Sequence, residues 1–96
     1  MKSNYLIYDA SMLNIAVSNN ELQQVEDLIK EGTNVNFKGL GGTTALHVAA
    51  DFNSELDIVN VLLQGKAEVN IKNDNDWTPL HYAVANNSYD IISVIN

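Results

Sequence analysis

The sequence predicts an all-α fold built from repeated short helix pairs, and three observations carry that prediction. The stretch NDNDWTPLHYA at residues 73–83 returns as GLGGTTALHVA at 39–49 and, more faintly, as LIYDASMLNIA at 6–16. Asn14, His47 and His81 stand at matching places, 33 and 34 residues apart, the spacing of one supersecondary unit repeated along a chain. In every copy a Ser or Thr stands where a helix must begin and an Asn where it must end.

Taken in order, the copies span 8–40, 41–74 and 75–96, the last one truncated within its second helix. Ser11, Thr44 and Thr78 are the expected caps, since a hydroxyl can accept from the free N–H groups of a first helical turn. Pro79 strengthens the third start, because a proline at the first helical position gives up an N–H that had no partner and presets φ. Short first helices are predicted over 11–17, 44–51 and 78–85. Asn20, Asn53 and Asn87 should close them in the left-handed conformation, which asparagine tolerates better than other non-glycine residues. The middle copy is one residue longer, and the extra residue is placed at Ser54, in a loop that absorbs it at little cost.

Second helices follow, with Leu22, Val25, Leu28 and Ile29 in the first copy and Leu56, Ile58, Val59, Leu62 and Leu63 in the second, spaced three and four apart. Asn20 and Gln23 are candidates for a capping box at the first of them. Gly32 supplies a left-handed stop, but the matching residue one copy later is Lys66, so either Gly65 moves the stop or Lys66 accepts steric strain. Asp76 stands where Gly42 supplies a turn residue one copy earlier, and Asp is among the few residues that tolerate positive φ. In the last copy Ile91, Ile92 and Ile95 lack a following repeat to cover them, which predicts an open and fraying end.

With this period and the signature T-P-L-H-x-A at residues 78–83, the chain resembles an ankyrin-repeat protein over essentially its whole length. The resemblance implies an all-α solenoid of stacked helix-turn-helix pairs with β-hairpin-like turns projecting to one side. It implies non-enzymatic binding of another protein, with no cofactor. In that family partners bind the concave face, made of turn tips and the exposed side of the first helices. The matching turn positions are Lys38, Leu40 and Thr43, then Lys72, Asp74, Asn75 and Trp77. The helix positions are Tyr8, Asp51, Phe52, Ala85 and Asn86. Trp77 is expected to project toward that face with Phe52 as its neighbour, the alternative being that it folds over its own turn. Asn36 and Asn70 end the two "VN" turns, and the resemblance implies bonds to the turn's own backbone or, alternatively, asparaginyl hydroxylation.

Composition narrows the partner. Twelve acidic residues against five lysines give a formal net charge of −7, which repels phosphate backbones and acidic membrane surfaces. No apolar run approaches the ~20 residues that a bilayer crossing needs. Neither disulfides nor thiolate metal sites can form without cysteine, which is compatible with a cytoplasmic location. His47, His81 and Asp51 invite a metal or catalytic reading. Matching positions on stacked helices lie ~8–10 Å apart, too far to share one ion, and each histidine follows its threonine at a spacing suited to a hydrogen bond. "GLGG" at 39–42 lacks the lysine of a phosphate-binding loop, and the trio Ser88, Asp90 and His81 lies on no strand-to-helix elbow. A rival to the recognition reading is a scaffold role, with the unfinished C-terminal end stacking on further repeats or forming a homodimer.

Overall fold

The computed structural model describes residues 11–52 and 54–96. Among them residues 11–18 form helix α1, followed by α2 (Leu22–Lys30), α3 (Ala45–Asp51), α4 (Leu56–Gln64), α5 (Pro79–Ala85) and α6 (Tyr89–Ile95). A short 3-10 turn, Leu40–Gly42, marks the tip of the first long turn. Tyr8 and Asn53 fall outside the described residues.

The helices stack in two layers, with α3 against α5 in one and α2, α4 and α6 in the other, and α3 and α5 each also touch their own second helix. Alanine makes the first-helix layer possible. Ala45, Ala49, Ala50 and Ala83 are fully buried and Ala16 is nearly so, so short helices approach closely without side chains between their axes. Larger residues fill the space between the layers: Leu13, Val17, Val25, Leu46, Ile58, Val59, Leu62 and Ile91 are all buried. Ile91 and Ile95 lie in this core, against α4 and α5, so the expectation of an open C-terminal face fails for both. Each turns inward on its own helix and is covered by the preceding repeat, which needs no following one.

The stops follow the local chemistry. Asn20 and Asn87 have φ of 59° and 56°, Gly32 has 93°, and Lys66 itself takes the left-handed position at 75°. Around each, two backbone bonds close the helix, as in Gly32 N–H to Ile29 O with Thr33 N–H to Leu28 O, and Lys66 N–H to Leu63 O with Ala67 N–H to Leu62 O. Gly65 remains helical in character at φ −80°, so the stop does not move to the glycine. Asp76 also takes positive φ, at 63°.

Three details of the sequence reading are corrected. The extra residue of the middle copy is Glu55, because Glu21, Ser54 and Ser88 make equivalent bonds to Ala16 O, Ala49 O and Ala83 O, and only α4 starts one residue later. Its N–H is satisfied by Asn20 Oδ1 at 3.2 Å, and its carboxylate accepts from Asn20 Nδ2 at 3.1 Å. That use of Asn20 excludes the capping box with Gln23, whose amide donates to Asp27 instead. Ser11, finally, is already helical and is not the cap.

Candidate functional site

The side of the molecule that carries the two long turns is braced from beneath by histidine and asparagine. His47 Nδ1 accepts from Thr44 N–H at 3.1 Å and lies 2.9 Å from Thr44 Oγ1, while Nε2 lies 2.8 Å from the carbonyl of Trp77. A carbonyl can only accept, so the proton is on Nε2 and the ring joins its own cap to the next repeat. Burial pushes His47 below its ordinary value, with only partial opposition from the Trp77 and Ile71 carbonyls. His47 is therefore neutral and fully engaged. Asn14 occupies the matching place and reproduces the outer bond, Nδ2 to Thr43 O at 3.2 Å, but its buried Oδ1 has no partner among the described residues. His81 repeats the inner half, with Nδ1 at 2.9 Å from both Thr78 N and Thr78 Oγ1.

The turns are held to each other as well. Asp74 N–H donates to Gly41 O at 2.9 Å, and a Cβ on Gly42 would stand 2.7 Å from Asp74 Oδ1 and 3.1 Å from Asp74 N. Glycine at 42, with φ of 73°, lets the second turn approach that closely. Buried Asn73 organises the second turn, its Oδ1 accepting from Asn75 N–H and Trp77 N–H and its Nδ2 donating to the Tyr82 hydroxyl at 2.7 Å. Asn36 reaches across to the next repeat, accepting from Glu68 N–H at 2.8 Å and donating to Lys66 O at 3.1 Å. The expectation that it bonds its own turn is thus corrected; that task falls to Asn34, which accepts from Asn36 N–H. Asn34, Asn73 and Tyr82 were not singled out from sequence; their place in the turns was a signal for the two asparagines, and nothing marked Tyr82 within α5.

On this braced frame Leu40 is 98% exposed and Phe52 59%, and Lys38, Asp51, Lys72, Asp74 and Asn75 are also exposed. Thr43 is half-buried, its carbonyl accepting from Asn14 and from Gly39 N–H. Trp77 keeps 37% exposure but lies over its own repeat, its ring centroid 4.9 Å from Tyr82 and 5.6 Å from His81. The expected pairing with Phe52 is replaced by these contacts, because the tryptophan lies at the start of α5 and Phe52 follows the end of α3. Asn86 is exposed, yet its amide donates to Ala50 O and Asp51 O at 3.1 and 2.7 Å, closing the end of α3. Ala85 ends α5, exposed.

Charge divides unevenly between the two layers. Along the second helices and their flanking turns, Glu21, Glu26, Asp27, Glu31, Glu55, Asp57, Glu68 and Asp90 oppose only Lys30 and Lys66. The long turns and first helices carry Lys38 and Lys72 against Asp51, Asp74 and Asp76, close to neutral. No helix among the described residues is long and apolar enough to cross a membrane.

A family model of three ankyrin repeats matches residues 13–95. Among curated proteins no match is found. Ankyrin repeats are generally protein–protein interaction modules and typically non-catalytic. Paired short helices and left-handed stops recur along the matched stretch, threonine–histidine caps open two of its first helices, and the chain belongs to the ankyrin-repeat family.

Proposed function

We propose that this chain recognises a partner protein, without catalysis and without a cofactor, through the face formed by its turn tips and the ends of its first helices. The observation that carries this reading is the coincidence of exposed apolar side chains with a braced, nearly neutral frame. Leu40 and Phe52 are exposed at the turn tip and at the end of α3, and Trp77 keeps 37% exposure while lying over its own repeat, whereas most acidic residues lie along the second helices. Large apolar groups amid polar neighbours are the usual anchors of protein interfaces. Lys38, Thr43, Asp51, Lys72, Asp74 and Asn75 form the polar surroundings, and Asn86 adds only what its bonds to α3 leave free. The frame loses little conformational entropy on binding because it is tied from repeat to repeat before the partner arrives. A cytoplasmic setting suits a chain without cysteine.

The test is photo-crosslinking in an extract of the source cell, with the reactive group placed at Phe52 or Leu40 and, as a control, at Glu26 on α2. A product expected from the first two positions and not from Glu26 identifies the partner. Phe52→Ala and Leu40→Ala should then weaken its binding by about tenfold or more each while leaving the melting temperature essentially unchanged. Equal crosslinking at Glu26, or binding indifferent to both substitutions, would overturn the assignment. Trp77→Ala is the less clean variant, since it also removes the contacts with Tyr82 and His81.

A further inference from the structure

We propose that Asp51 and Phe52, at the end of α3, receive a basic segment of the partner, the carboxylate pairing with an arginine and the ring packing against its stem and guanidinium. The inference rests on the recognition reading above and adds the chemistry of what is recognised. It starts from two successive positions at which the middle repeat abandons the pattern of its neighbours. The first copy ends its first helix with Ser18 and Asn19 and the third with Ala85 and Asn86, where the middle copy has Asp51 and Phe52.

Neither replacement serves the fold. Asn86 shows what the second position does for folding: its amide donates to Ala50 O and Asp51 O at 3.1 and 2.7 Å and ties the end of α3 to the following repeat. The corresponding carbonyls at the end of α1 are those of Val17 and Ser18, and a phenylalanine has no donor for them. Ser54 Oγ reaches only Val17 O, at 3.4 Å. Phe52 does not bury its ring in exchange, since it is 59% exposed. Asp51 is the last residue of α3 and exposed; a carboxylate there stands at the negative end of the helix dipole, with no basic residue in the last turn to offset it. Two adjacent local choices against stability, both on the surface, are the mark of a functional site. Both positions have a repeat on either side, so their exposure does not depend on what precedes or follows the described residues.

The surroundings select the occupant. Lys30 and Lys66 stand at the ends of the second helices and Lys38 and Lys72 in the long turns, so every described lysine lies at the turn side of the array. The opposite edge, residues 18–22, 51–56 and 85–90, carries Glu21, Asp51, Glu55 and Asp90 and no Lys or Arg. Glu21, Glu55 and Asp90 lie at the starts of second helices, where an acid suits the dipole, and Glu55 also accepts from Asn20. Asp51 is the one of the four whose place costs the fold. A cation answers all three features of this end, pairing with the carboxylate, lying against the electron-rich face of the ring and meeting the negative end of α3. Arginine does so best, because its guanidinium takes a carboxylate in a fork and stacks on rings. Asn86 holds the backbone of Asp51 in place before the ligand arrives.

The test is an NMR titration of the isotope-labelled chain with the blocked peptide Gly-Arg-Gly-Arg-Gly and with its citrulline counterpart, which has nearly the same shape and no charge. Saturable shifts centred on the amides of Asp51, Phe52 and Asn86 are expected with the arginine peptide only. Asp51→Asn and Phe52→Ala should each weaken that binding by about threefold or more, while Glu26→Gln, which removes the same charge from α2, should leave it within about twofold. Phe52→Asn, which restores the pattern of the neighbouring repeats, should weaken binding equally without lowering the melting temperature. Equal shifts with the citrulline peptide, shifts centred elsewhere, or equal effects of Asp51→Asn and Glu26→Gln would overturn the proposal. None of these results touches the recognition reading, which stands or falls with crosslinking at Phe52 and Leu40.

Discussion

Lys66 is the residue at which this fold departs furthest from its own pattern, and exchanging it with its counterpart isolates one physical term. Lys66 and Gly32 end successive second helices in the same left-handed conformation, at φ of 75° and 93°, with equivalent closing bonds. A side chain in that conformation costs ~1–2 kcal/mol, while glycine adds unfolded-state entropy worth ~0.4–1 kcal/mol. The net expectation for Lys66→Gly is stabilisation of about 0.5–1 kcal/mol, less a few tenths for the cation lost at the end of α4. For a domain of this size that is a rise of roughly 2–6 °C in the melting temperature. Gly32→Ala should move it the other way by a similar amount, because a Cβ there would meet nothing within 4 Å and only the backbone term changes. Thermal and urea unfolding followed by circular dichroism measure both. If Lys66→Gly lowers stability, or Gly32→Ala leaves it unchanged, the backbone strain assigned to Lys66 is wrong.

Asn14→Ala should cost about 1 kcal/mol through the lost bond to Thr43 O; an unchanged urea midpoint would refute this. Asn36→Ala should cost about 1 kcal/mol through two lost bonds to the neighbouring turn, whereas Asn70→Ala should stay within about 0.5 kcal/mol, and equal effects would show that the cross-repeat bonds contribute nothing. His47 sets a pH dependence of definite sign. Its folded value lies below 6.5, so the unfolded chain takes up a proton that the folded chain refuses, and the stability present above pH 6.5 is lost as pH falls from there toward the folded value. The slope from one proton cannot exceed about 1.4 kcal/mol per pH unit, and it should vanish in His47→Asn when unfolding free energies are compared between pH 7.5 and 5.5.

What the sequence determined by itself was whatever depends on a residue and its next few neighbours. Thr44 and Thr78 cap α3 and α5, and Pro79 opens α5. Asn20, Gly32, Asp76 and Asn87 take positive φ, because hydroxyl chemistry, ring geometry and steric tolerance act within one turn of chain, whereas the choice between Gly65 and Lys66 was left to the fold. The period of 33 to 34 added the stacking, since equal units with equal apolar faces can cover one another only in series. The partners of the asparagines were decided only by the tertiary structure. Asn36 bonds residues 30 and 32 positions away, Asn20 bonds Glu55 35 away, and Asn86 bonds Ala50 and Asp51 36 and 35 away. A free amide gives no local sign of which repeat it will serve. The same holds for Trp77, whose type marked it as an anchor or a cover, and which lies on Tyr82 and His81 because α5 turns both rings toward it. Glu55 shows the reason most plainly: in the sequence an inserted residue is only a longer loop, and in the fold it is the one whose backbone N–H the amide of Asn20 is placed to receive.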